Sequence, residues 1–480
     1  MENCIKRWIT FMLILVWISM GLHMEIGGPT LLDLRIRFNT NSEEIARSVS
    51  AQGAGIFVGA LIGGILVDLL GIWKILLVTG SQIIVTATIV SMPYVGSLTM
   101  LWVMFFILGT AAGVVNVSGQ RIIIELWKDK APSPMHATHM GFGIGALIAP
   151  LIANPFLAVL DYSDSTQTLN GTTSSHVRIL QESRVQLAYV TIGAVSAILS
   201  LPVLIYPILM CCVKRLRDGY RRLKPEEART SKRSFREFLS ILNPATYANG
   251  SLKFGLFVFA MIVLYFVNLV GGEQLFGNFI RTYSVDEMHF PRDEASYLDT
   301  IYWGSYTVGR FLGSILSHFI HIKILIVIDA ILYLISVTSL NIFSAKFNSK
   351  TVLWAFTAGV GFLVAPLFPA GISFTNTQIE VGGVVLTLVM FSSGLSHLLY
   401  VWIAGSLYDH YGPQTILYTV QTASVLVFII VVIFVLVTHR RTDRFQQVRQ
   451  VGGERDTFNA GDLLYTPLMQ STDSEEETPT

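Results

Sequence analysis

Six ionisable side chains stand within or at the edge of long apolar runs: Glu25, Glu273, Arg310, His23, His139 and His397. At mid-bilayer an ionised group costs about 2.5–3.5 kcal/mol on insertion scales, so it is kept only beside a partner or a polar cavity. Glu25 precedes Gly27-Gly28-Pro29, and Glu273 follows Gly271-Gly272. Gly-Gly and Gly-Pro pairs loosen a helix ladder and free backbone carbonyls, and interrupted helices at matched positions point to a buried binding site. A carboxylate beside free carbonyls is what a hard cation such as Na⁺ accepts, by analogy with other hard-cation sites. The plainer alternative places both glutamates near the outer ends of their helices, in reach of water.

Trp303, Thr307 and Arg310 fall at i, i+4 and i+7, on one helix face that should look into the protein. Arg310 could hold a substrate oxygen or a glutamate across a cavity, or form a structural ion pair that locks one conformation. Asn116 and Gln120 share a face at i, i+4, and Asn268 and Gln274 add two more amides. Amides donate and accept, so they could meet the hydroxyls of a polar solute, and Trp303 and Tyr302 could stack on an apolar face of one. The alternative is ordinary interhelical hydrogen bonding, worth about 0.6 kcal/mol on average. His139 and His397 could relay protons, or simply pack; His136 is interfacial.

These residues must be positioned by membrane helices. Of the 480 residues 52% are hydrophobic and 14% charged, against about a quarter charged in soluble proteins. The apolar residues fall in runs of about 20, enough to cross a ~30 Å hydrocarbon core as helices; a β-barrel would alternate in short segments. The expected spans are 8–28, 47–70, 73–93, 98–122, 137–160 and 187–212, then 252–279, 297–320, 322–343, 351–374, 381–407 and 414–437. The class is an all-α polytopic membrane protein of twelve helices, with no enzyme signature and no global charge suited to nucleic acid.

A basic stretch, with Lys214, Arg215, Arg217, Arg221, Arg222 and Lys224 at its start, divides the spans six and six. The expected organisation is a six-helix bundle over 1–212, a linker over 213–251, a second bundle over 252–437 and a disordered tail over 438–480. Roughly 22 Lys and Arg lie on the linker side and roughly 9 on the other, so the positive-inside rule puts linker and both termini in the cytoplasm. The Lys6-Arg7 start also suits a signal peptide, but the apolar run is long and no small-x-small cleavage site follows. Cys4, Cys211 and Cys212 would then be cytoplasmic, implying no disulfide framework. The Cys211-Cys212 pair could be palmitoylated or stay as two thiols. Asn170-Gly171-Thr172 is the one glycosylation sequon in an outside loop. Tyr465-Thr466-Pro467-Leu468 in the tail matches a tyrosine-based signal for a sorting adaptor. The plasma membrane is the expected location, an endosomal membrane the alternative.

Shifted by 250 residues, helix 2 overlays helix 8, with Gly59 on Gly309 and Gly63 on Gly313. Small residues four apart allow close helix packing in lipid, and two six-helix halves in parallel repeat are the plan of the major facilitator superfamily. Gly64, Asp68, Gly71 and Lys74 resemble that superfamily's Gly-x-x-x-Asp-x-x-Gly-x-x-basic signature, with Leu69 in place of the usual Arg. The resemblance implies that Asp68 lies near the start of helix 11, where a carboxylate is favoured by the helix dipole by up to about 1–2 kcal/mol and can bias a rocking equilibrium; Glu380 stands near that start.

Three stretches carry a narrower resemblance. They are Gly28 to Arg35, His136 to Phe156 with Asn154-Pro155-Phe156, and Tyr302-Trp303-Gly304 with Gly309-Arg310. Together they resemble the sodium-dependent glucose transporter 1 family, over all twelve helices. That resemblance implies sodium-coupled hexose uptake by alternating access, with a sodium ion in the role of coupling ion and no other cofactor. On this expectation Glu25 and Glu273 hold or sense the cation, and Asn116, Gln120, Asn268, Gln274, Trp303 and Arg310 line the cavity. The alternatives are a proton-coupled or facilitative carrier using His139 or His397, and a non-transporting solute sensor acting through its basic loop and tail.

Overall fold

The computed structural model describes residues 2–70, 73–127, 132–161, 178–212, 243–248, 250–317, 319–347, 349–379, 381, 383–439 and 441. Most of the expected linker and tail, with Asn170, Tyr465 to Leu468 and Glu380, lies outside them. Helix 1 is Glu2–Glu25 continued by Gly27–Phe38, and helices 2 to 6 are Ser42–Leu69, Ile75–Ser91, Leu98–Trp127, Pro132–Ala153 and Val185–Cys212. Helices 7 to 9 are Leu252–Asp286, Arg292–Leu316 and Ile322–Phe347. Helix 10 is Lys350–Val364 continued by Leu367–Gln378, and helices 11 and 12 are Gly383–Tyr411 and Thr415–Thr438. A short helix, Pro244–Tyr247, precedes helix 7, and two strands, Val159–Asp161 and Arg178–Gln181, pair antiparallel between helices 5 and 6.

Several spans run past their expected limits. Helix 1 continues to Phe38 rather than stopping at 28, helix 2 begins at Ser42, and helix 7 continues to Asp286 rather than 279. An apolar-run reading stops at the charges Asp33, Arg35 and Arg281. The helices continue because those charges find partners inside the protein.

Eleven of these helices are long and apolar enough to cross a membrane. Helix 8 has the length, 25 residues, but carries Arg292, Asp293, Glu294, Asp299 and Arg310. Its amphipathicity is inverted relative to a water-soluble helix. Ile301, Val308, Phe311, Leu312 and Ile315 are exposed, while Ser296, Asp299, Tyr302 and Tyr306 are buried. Hydrocarbon accepts the first face, and the polar groups turn to their partners.

The halves repeat one packing plan. Helix 1 packs on 5 and 6, 2 on 4, and 3 on 4 and 6; in the second half 7 packs on 11 and 12, 8 on 10, and 9 on 10 and 12. The glycine overlay has a structural meaning. A side chain at Gly59 or Gly63 would meet the backbone of Thr110 or Val114 in helix 4, and one at Gly309 or Gly313 would meet Phe362 or Pro366 in helix 10. Between halves, helix 2 packs on 11, helix 5 on 8, and the Gly27–Phe38 segment of helix 1 on helix 7. That last contact joins the halves at the end of the bundle remote from the chain's termini, here called the far end.

Replacing Gly59 by Val should overpack the helix 2–4 seam at a cost of about 1–3 kcal/mol. The unfolding temperature of the purified protein in detergent should fall by several degrees. Gly80→Val, where an added Cβ meets nothing within 4 Å, should leave it unchanged.

Candidate functional site

Helix 1 breaks for a covalent reason. Pro29 has no N–H, so the carbonyl of Glu25, four residues earlier, loses its ladder donor. The interruption falls at Ile26, between the two segments. Helix 7, by contrast, runs unbroken through Gly271-Gly272, which corrects the expectation that this pair interrupts the ladder. The glycines there make room: a side chain at Gly271 would strike the Tyr400 ring, and one at Gly272 would crowd the Tyr333 hydroxyl and Ala423.

Glu25 and Glu273 are 3% and 5% exposed. Each lies thirteen residues short of the far end of its helix, or about 20 Å at 1.5 Å per residue. The alternative that they sit at outer helix ends and reach water is therefore set aside. Gln274 Nε2 donates to Glu25 Oε1 at 3.4 Å, linking helix 7 to helix 1 across the two halves. On helix 8 the Tyr306 hydroxyl donates to Glu273 Oε1 at 2.8 Å, and the Tyr302 hydroxyl donates to the Glu273 backbone carbonyl at 3.0 Å. Glu273 Oε2 and Gln274 Oε1 are buried without a hydrogen-bond partner.

Arg310 stands over the Tyr306 ring at 4.6 Å and the Phe368 ring at 5.5 Å, and its charge acts on Glu273. Cation–π contacts of this kind are worth about 0.5–2 kcal/mol, more as water is excluded. Trp303 is 1% exposed and meets Phe142, Tyr302 and Tyr306 edge to face. Gly277 leaves the space its ring fills. Thr307 lies against Gly143 of helix 5, at the seam between the halves. Asn268 accepts from the Tyr400 hydroxyl at 2.6 Å and donates to the Leu264 carbonyl. Asn116 and Gln120 are half-buried; Gln120 donates to Asn116 at 3.4 Å, and Asn116 lies 3.7 Å from the Met20 sulfur.

The structure thus brings Glu25, Glu273, Gln274 and Arg310 into one network with Trp303 beside it. Asn116 and Gln120 form a separate pair on helix 4. His139 is edge-on to Trp17 at 6.3 Å. His397 is buried on helix 11 and bonds the backbone of Val49 in helix 2. Asp68 lies in helix 2 with its side chain outside the described residues, while Lys74 of the same motif pairs with Glu125 of helix 4 at 2.5 Å.

Sequence reasoning missed the hydroxyls of Tyr306 and Tyr400 and the far-end charges Asp33, Arg281 and Asp299. Asp33 was visible inside the Gly28 to Arg35 stretch as an acid in an apolar context. For the tyrosines there was no signal beyond helical spacing from Trp303.

Among the described residues no cluster of three or more His, Cys, Asp or Glu could hold a metal ion. What is present is two carboxylates with amide and carbonyl oxygens, a set suited to a weakly held monovalent cation and to hydroxyl-bearing solutes.

Twelve helices in two repeated halves, with polar groups gathered between them, define an integral membrane carrier. The Major Facilitator Superfamily model matches residues 8–291, and the chain belongs to that superfamily. It is 26% identical over 414 residues to the sodium-dependent glucose transporter 1A of Mus musculus, covering 84% of this chain and 90% of that one. It is 25% identical to the Homo sapiens sodium-dependent glucose transporter 1, covering 86% and 76%. It is also 26% identical to the major facilitator superfamily domain-containing protein 4A of Danio rerio, covering 84% and 82%. Its fold resembles the crystal structure of the nucleoside transporter NupG (TM-score 0.63, 15% identity, 90% of this chain and 100% of that one). It also resembles a partially occluded inward open form of the xylose transporter XylE from E. coli (TM-score 0.61, 13% identity, 90% and 99%). The protein is a transporter of small-molecule solutes in a lipid bilayer, not an enzyme.

Tyr306→Phe removes the hydroxyl that satisfies a buried carboxylate, at a cost of about 1–3 kcal/mol. The unfolding temperature should fall, and the effect should shrink in a Glu273→Gln background. Equal losses in the two backgrounds would show that the hydroxyl does not act through Glu273.

Proposed function

We propose that this chain carries a hexose with sodium by alternating access. The observation that supports the reading most is the pair of buried glutamates on equivalent helices of the two halves, with Glu25 accepting from Gln274 of the other half and Glu273 keeping Oε2 without a hydrogen-bond partner. Sodium at these oxygens offsets their charge and draws helices 1 and 7 together. It can drive transport only if it binds one state of the carrier more tightly than the other. The amides of Asn116, Gln120, Asn268 and Gln274, with Arg310, offer the mixed donors and acceptors that sugar hydroxyls need. The names of the mouse and human relatives, sodium-dependent glucose transporters, support both solute and ion, and the name of the 4A relative specifies neither. The same proposal places both termini in the cytoplasm and the protein in the plasma membrane, with glycosylation at Asn170 and adaptor contact through Tyr465 to Leu468.

Uptake of labelled glucose into proteoliposomes should exceed the outside concentration under an inward sodium gradient, and fall to equilibration when choline replaces sodium. Glu25→Gln and Glu273→Gln should each lower the sodium-dependent rate at least about tenfold, the equivalent of 1.4 kcal/mol. Accumulation that follows a proton gradient and ignores sodium would replace the ion in this reading. Folded protein that moves no glucose under either gradient would replace the solute.

A further inference from the structure

Toward the far end lies a second group of buried charges, one of which, Asp299, also acts on Glu25. Asp33 on helix 1, Arg281 on helix 7 and Asp299 on helix 8 are all 0% exposed. Arg281 Nη1 lies 3.8 Å from Asp33 Oδ2, an ion pair that crosses from the first half to the second. Asp33 is fixed from its own half, its Oδ1 accepting from the backbone N–H of Ala158 at 2.6 Å. Arg281 is fixed from the other, its Nε donating to Ser296 Oγ of helix 8 at 3.4 Å. Asp299 is in the same half as Arg281. Both its carboxylate oxygens are buried without a hydrogen-bond partner, and the Arg281 guanidinium is the positive charge that acts on it.

Arg281 is thus paired with a carboxylate of the other half, Asp33, while its charge reaches a carboxylate of its own half, Asp299. Carriers of this superfamily move solute by parting one end of the halves and then the other, and parting the far end takes Asp33 away from Arg281. Losing Asp33 takes one counter-charge from a guanidinium still packed against its own half, and that loss opposes the step. Asp299 travels with Arg281 and has two vacant oxygens ready for it.

We propose that Asp33, Arg281 and Asp299 form a partner-exchange latch. With the far end closed, Arg281 pairs across the seam with Asp33. With the far end open, Arg281 turns to Asp299, and Asp33 is released to water. Asp33 stabilises the closed state, and Asp299 stabilises the open one. The two acids therefore have opposite effects on one equilibrium. The latch rests on alternating access by the halves and not on which solute or ion the protein carries.

Ser42 reports on the seam. It is buried, and helix 11 of the other half covers it, since a side chain at Gly405 would meet the Ser42 carbonyl. With Cys4, Cys211 and Cys212 changed to Ser, a Ser42→Cys reporter would be labelled by a membrane-impermeant maleimide from the far side of sealed proteoliposomes only when that end opens. Asp33→Asn should raise the labelling rate at least about threefold. Asp299→Asn should lower it by a similar factor. Both follow from removing one state's partner and keeping the other's. Changes of the same sign in the two variants, or no change in either, would overturn the latch. Asp33→Ser and Asp299→Ser carry the same sign contrast, so a variant that fails to give monodisperse protein is replaced by its serine counterpart and read the same way. Labelling needs no solute or ion, so it succeeds or fails independently of glucose uptake.

Discussion

A charged side chain inside a bilayer has no solvent to turn to, so it must be answered by the protein. In this chain the answer lies between helices 1 and 7. Their backbones come together at glycine: a side chain on Gly28 would strike the carbonyl of Gly277. That approach sets Gln274 against Glu25 and Arg281 against Asp33. Much of the remaining structure follows from keeping these groups satisfied.

Helix 8 shows the consequence most directly. It carries too many charges for a hydropathy criterion, yet it spans the bundle because its polar residues face inward. Tyr306 and Tyr302 hold Glu273, Ser296 holds Arg281, and Arg310 lies over the Tyr306 ring. Glycine is used for space rather than for flexibility. Tyr400, Trp303 and the backbone of Thr110 occupy the places that side chains at Gly271, Gly277 and Gly59 would need. The same devices recur in both halves, as expected where dispersion packing replaces the hydrophobic effect between helices.

The fold was legible in the sequence because apolar runs of about 20 residues and a basic central stretch are set by the bilayer. The glycine spacing shared by helices 2 and 8 was legible for a similar reason, since both pack closely on a neighbour. Helix ends were not, because Asp33 and Arg281 look like terminators until each is known to answer the other. The glutamates stood out as rare residues in apolar context. Their depth did not, because depth depended on helices 1 and 7 continuing past those charges. The Gly271-Gly272 pair misled in the other direction: its role is to admit Tyr400, a contact 129 positions away that no local pattern records.

On the proposed function, sodium and the sugar bind with affinities that depend on each other, with Glu25 and Glu273 as the link. Linkage requires the two effects to be reciprocal. The most direct measurement is equilibrium binding of labelled glucose to the purified protein in detergent, in sodium chloride and again in choline chloride at equal ionic strength. Tighter binding in sodium is expected for the native chain, and no difference between the two salts once both glutamates are changed to Gln. Equal affinity in the two salts for the native chain would contradict it.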